Sequence, residues 1–184
     1  MTVPVRRANT ILKESWVAST LRFLQFFSLG TWVGGILYFS FIVTRGAFSV
    51  LPNSDLAGAL VGYTLAKLHM MGIIAGVLYL LASVVDGARA NYLEPVVIKA
   101  LEALAEPAAL LVFAMIMFTV ASQYSVIPRM DVLRSQMGSV EATPVTDQLR
   151  IAFDRLHQYS VWLEGAVLLC GLIAMFLTAR QKSS

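Results

Sequence analysis

The chain has 184 residues, of which 58% are apolar and only 14% charged, with a net charge of +3 and a mean hydropathy of +0.72. Soluble domains run at roughly 45–50% apolar and 25% charged, and a body of this size cannot hide so much apolar surface from water. A disordered chain is excluded, a water-soluble enzyme is disfavoured, and the lipid bilayer is the expected solvent. The basic residues are scattered between apolar blocks with no stacking aromatics among them, so nucleic acid is not an expected partner.

Residues 1–22 form a polar N-terminal segment. Ile11, Leu12, Trp16 and Val17 recur in it at helical spacing, which fits an amphipathic helix lying on the membrane or extending the first span. The first apolar block, about 23–43, is too long for the core of a cleaved signal. Arg6-Arg7 has the form of a twin-arginine signal, but Lys13 and Glu14 interrupt the stretch that such a signal keeps apolar. Three more spans are expected at about 68–85, 107–127 and 156–179, since about 20 apolar residues cross a hydrocarbon core of roughly 30 Å. Residues 180–184 are a polar tail.

Between the second and third spans, Val96, Val97, Ala100, Leu101 and Leu104 keep helical spacing while Lys99, Glu102 and Glu106 fall elsewhere. A short interfacial helix is expected there, with Pro107 opening the third span. The segment Arg129–Phe153 is polar and broken by Gly138 and Pro144, which predicts a mobile surface loop. With four spans, Lys and Arg divide eight to six between the two sides. The richer side holds both termini, so both are expected in the cytoplasm.

The two halves of the chain resemble each other. Phe48-Ser49-Val50-Leu51-Pro52 recurs as Tyr124-Ser125-Val126-Ile127-Pro128, and Lys67-Leu68-His69 recurs as Arg155-Leu156-His157. The fold class expected is therefore all-α: a four-helix transmembrane bundle of two parallel two-helix repeats, with short interfacial helices. The only two histidines, His69 and His157, fall at matching positions near the same membrane face. A pseudo-twofold axis would let them meet, as a transition-metal site or, less in keeping with the pattern, as axial ligands of a haem. The alternative is that each histidine bridges helices by ordinary hydrogen bonds.

Glu164 is the one acid deep in a span, seven residues after His157 on the same helix face. A carboxylate in hydrocarbon must be paired, hydrated or protonated. With Asp154 and Tyr159 it outlines a candidate polar cleft, and Gly76 at the matching repeat position leaves space beside it. Gly30 with Gly34, and Gly72 with Gly76, form two small-residue steps for close helix packing, within the chain or against a second copy or another membrane protein. Cys170 is a lone thiol in an apolar run and reads as packing. No serine-hydrolase elbow, phosphate loop, dinucleotide fingerprint or HExxH helix is present, so an enzyme is not expected.

The run Gly30-Thr31-Trp32-Val33-Gly34-Gly35, Tyr38-Phe39, Leu68-His69 and Phe153-Asp154-Arg155-Leu156-His157 resembles the transmembrane protein 205-like family, over roughly Leu24–Leu177. The resemblance implies a four-helix integral membrane protein without a settled activity. Three functions remain open: a small transporter or metal-handling protein, a non-catalytic membrane scaffold or accessory subunit, and a haem-binding redox subunit.

Overall fold

A computed structural model describes residues 5–89 and 95–180, with side chains from Trp16 onward. The described residues form seven α-helices: α1 (Val5–Tyr38), α2 (Thr44–Val50), α3 (Ser54–Arg89), α4 (Val96–Ala105), α5 (Pro107–Ala121), α6 (Ile127–Met137) and α7 (Gln148–Arg180). No strand occurs among the described residues. Two π-helical turns, Phe39–Val43 and Ser122–Val126, join α1 to α2 and α5 to α6 without a break. Four helical rods therefore cross the molecule: 16–50, 54–89, 107–137 and 148–180 are each long and apolar enough to span a membrane.

The rods outrun the expected spans. At 1.5 Å per residue, the 36 residues of α3 measure about 54 Å, well beyond the hydrocarbon core. Isolated charges such as Lys67 and Arg155 interrupt the apolar runs while the helices continue past them, so the uninterrupted runs alone mark shorter spans. The backbone of the N-terminal segment continues into the first span as one helix from Val5. Residues 1–4 and 181–184, and the side chains of Arg6, Ile11, Leu12 and Lys13, lie outside the described residues.

The rods pack in ring order, α1 beside α3 and α7, and α5 beside the same two. That leaves α3 and α7 diagonal to each other, meeting only through side chains on the bundle axis. Trp32, Leu29, Ile36, Tyr79, Met115, Val112 and Val167 are fully buried there. The outer surface carries Phe23, Phe27, Phe41, Ile74, Phe113, Leu169 and Phe176, each more than half exposed. An apolar outside around a packed inside is what a lipid solvent selects, and the fold is that of a multi-pass membrane protein.

Helix α4 has the same inversion. Val96, Val97 and Leu101 face outward, while Lys99 turns in against the bundle and is buried. The expected helix is present, and the spacing that identified it does not tell which face meets the protein.

The segment after the third span differs from the mobile loop expected over Arg129–Phe153. It is helical through Met137, and α6 closes at Gly138, whose φ of +71° favours glycine. The short link to α7 is tied to the start of α3. Asp55 accepts from Ser139 Oγ at 2.5 Å and from the Val140 N–H at 2.9 Å, and Glu141 Oε2 accepts from the Ser54 N–H at 2.7 Å. Asn53 and Asp147 cap α3 and α7 through the Leu56 and Leu149 amides.

Candidate functional site

Several buried polar groups converge on the bundle axis. His69, on α3, is 1% exposed. Its Nδ1 lies 2.9 Å from Gln123 Oε1, and its Nε2 lies 3.2 Å from Glu164 Oε2. Gln123 belongs to the second π-helical turn and Glu164 to α7, so three of the four rods meet at one imidazole. The π turn widens the helix by one residue and shifts the phase of the turns after it, and this rod presents Ser122 and Gln123 to the interior there. Glu164 Oε1, Thr119 Oγ1 and Ser122 Oγ are buried and make no hydrogen bond among the described residues.

The chemistry is set by the connectivity. With Gln123 Oε1 accepting, Nδ1 carries a proton. Nε2 then either accepts from a protonated Glu164 or, as imidazolium, donates to its carboxylate. Both arrangements are neutral overall, and a proton can pass between Nε2 and Oε2 without placing net charge in hydrocarbon, the step that lipid penalises most.

A second polar crossing lies further along the same diagonal. Tyr79 Oη and Thr178 Oγ1 are 2.8 Å apart, and Gln25 Nε2 donates to Ser83 Oγ at 3.0 Å. These tie α3 to α7 and α1 to α3 with neutral groups.

The expected site residues do not all assemble. His69 and Glu164 are together. His157 is exposed, stacked on Phe153 at 6.4 Å, and stands two helical turns, about 10 Å, before Glu164. The facing pair of imidazoles expected from the repeat is therefore not formed: matching sequence positions do not enforce matching rotation of α3 and α7. Nor do the described residues bring three or more His, Cys, Asp or Glu side chains within reach of one metal ion.

Asp154 and Tyr159 also face outward. Asp154 is half exposed in an ion pair with Arg150 at 3.1 Å, one turn before it, and Tyr159 is 50% exposed. They line no cleft with Glu164. The space expected at Gly76 is filled by Trp32 and Ile116.

Of the glycine steps, only the second packs. A Cβ at Gly72 would sit 2.2 Å from Trp32 Nε1, and one at Gly76 would sit 2.7 Å from Trp32 Cζ3. A Cβ at Gly30 or Gly34 would meet nothing within 4 Å, so that step faces away from the bundle. Three close approaches were missed in the sequence: Gly35 against Leu68 and Met71, Gly87 against Ala103, and Gly171 against Val33 and Met115. Gln123 was missed as well. Its only signal is an amide following an uninterrupted apolar run.

No curated protein and no solved structure matches the chain. A family model described as a domain of unknown function, DUF4149, matches residues 27–139, which takes in His69 and Gln123 and stops before Glu164. With more than half its length matched, the chain belongs to the DUF4149 family of domains of unknown function.

Proposed function

We propose that this membrane protein is a small transporter whose working centre is the protonatable pair His69–Glu164, held by Gln123 on the bundle axis. The observation that carries the reading is the 3.2 Å contact between His69 Nε2 and Glu164 Oε2, made by two diagonal spans on the bundle axis, where the other buried polar crossings, Tyr79–Thr178 and Gln25–Ser83, are made by neutral groups. Ionisable groups within membrane spans commonly serve as proton relays or cation sites, because their burial is costly to maintain. The likeness of Leu68-His69 to the transmembrane protein 205-like pattern supports placing His69 among the working residues. The same reading takes the bundle as two copies of a hairpin. A π-helical turn before a shorter helix in both odd-numbered rods supports this.

A second reading is a scaffold in which the pair is a static tie between spans. Trp32 packed tightly on Gly72, one turn from His69, favours it. The two separate in proteoliposomes carrying a trapped pH-sensitive dye. After an acid pulse, the transporter reading expects faster internal acidification than in protein-free vesicles, and loss of the difference in Glu164→Gln. Wild-type vesicles no faster than lipid alone would leave the scaffold.

A further inference from the structure

Two hydroxyls beside the axial pair are turned away from their own helix. Elsewhere in the rods, Thr64, Ser83 and Thr178 donate to the carbonyl one turn back at 2.8–3.0 Å, a bond open to any serine or threonine in a helix. Thr119 and Ser122, each 1% exposed, do not make it, and their hydroxyl oxygens have no other partner among the described residues. Nor does Glu164 Oε1, whose sister oxygen faces His69.

These three oxygens share one layer. The rods of α5 and α7 run antiparallel, and Gly171 meets Met115. Counted along both rods from that contact, Ser122 stands level with Glu164, and Thr119 with Val167. Thr119 and Ser122 are three residues apart and lie on one face of α5. The next residue, Gln123, touches the same imidazole as Glu164. Met115, fully buried one turn further in, closes the layer with an apolar side chain.

Buried polar atoms are satisfied by protein or by ordered water, and a buried water makes about three such bonds. Here one water can accept from the two hydroxyls and donate to the carboxyl oxygen. We propose that Thr119, Ser122 and Glu164 Oε1 bind a water molecule, and that the axial pair exchanges its proton with this water. The exchange rests on reading His69–Glu164 as a proton centre; the water site does not. With Glu164 protonated on Oε2, a proton arriving at the water passes to Oε1 as the water's O–H bond breaks, while the Oε2 proton passes to His69 Nε2. The carboxyl is neutral before and after, and the positive charge moves from water to imidazole. The reverse sequence discharges it. Glu164 thus has one oxygen for each side of the transfer.

The test uses the full chain in lipid. Water-edited solid-state NMR reads magnetisation passing from water to the Thr119 side chain, and variants are compared by acid-pulse flux and by thermal melting. Wild type is expected to show the transfer at Thr119 despite its burial. Thr119→Val keeps the shape and removes the hydroxyl, and is expected to slow acidification about tenfold, the equivalent of one hydrogen bond, and to melt below wild type. Thr119→Ser is expected to restore both, and Ser122→Ala to act in the same direction as Thr119→Val. Ser28 Oγ is also buried and unbonded, but it stands level with Leu80, roughly 16 Å along the axis from His69. Ser28→Ala is therefore expected to keep wild-type flux and to melt no lower, since deleting an unsatisfied buried group is neutral or stabilising. No transfer at Thr119, or Thr119→Val melting at or above wild type, overturns the water site. Transfer at Thr119 with unchanged flux in Thr119→Val overturns the part of the water in proton exchange, as does an equal loss of flux in Ser28→Ala. Wild-type vesicles no faster than lipid alone overturn the transport role, while transfer at Thr119 in the same sample upholds the water site.

Discussion

Replacing Gly72 by alanine tests the packing on which the buried centre rests. The added methyl would lie 2.2 Å from Trp32 Nε1, 2.4 Å from Cε2 and 2.8 Å from Cδ1. Carbon contacts are comfortable at roughly 3.5–4.0 Å, so the overlap exceeds 1 Å and falls on a rigid ring. Trp32 is 1% exposed and has no free direction to move. Overpacking of this kind costs about 1–3 kcal/mol. Gly34→Ala places its methyl in open space, and alanine is the better helix former by up to about 1 kcal/mol. Thermal melting in one detergent, followed by tryptophan fluorescence, compares the two. Gly72→Ala is expected to melt several degrees below wild type and Gly34→Ala at or above it. Equal melting temperatures, or a larger loss in Gly34→Ala, would refute the assignment of α3 as the close-packed partner of Trp32. Because Gly72 lies one turn from His69, the Gly72→Ala variant is also expected to alter the imidazole environment seen by NMR.

The two histidines should behave differently. His69→Ala removes a fully buried ring and both of its hydrogen bonds, for an expected loss of about 2–4 kcal/mol in melting experiments. His157→Ala removes only an exposed stack on Phe153 and should stay within about 0.5 kcal/mol of wild type. Asp55→Ala frees the Ser139 hydroxyl and the Val140 amide. Hydrogen exchange at Val140 should then quicken by about tenfold, the equivalent of one modest hydrogen bond, while exchange within α5 is unchanged.

The legible features of the sequence are those that lipid demands. Four crossings stand out because each needs a long apolar run, and Glu164 does so because a charge in such a run is costly. The rods' true lengths are not legible, since single charges such as Lys67 and Arg155 end the uninterrupted apolar runs but not the helices. The π turns have no residue signature, and with them went Gln123, whose approach to His69 depends on the local change of phase. Glycine spacing marks where backbones can come close without saying which side is used. Gly72 and Gly76 receive Trp32, while the equally spaced Gly30 and Gly34 face away. The likeness of Lys67-Leu68-His69 to Arg155-Leu156-His157 pairs the two histidines in sequence, but burial of one and exposure of the other is set by how each helix is rotated in the ring, which a three-residue motif does not encode. Asp154 has its own explanation in Arg150, one turn earlier.

The proton itself can be observed at the axial pair. A pH-difference infrared spectrum of the full chain in lipid, recorded for wild type and Glu164→Gln, reads it directly. The expected result is a carboxyl C=O band that titrates in wild type, disappears in Glu164→Gln, and shifts in His69→Ala. A Glu164→Gln spectrum identical to wild type at every pH would contradict a proton-binding centre.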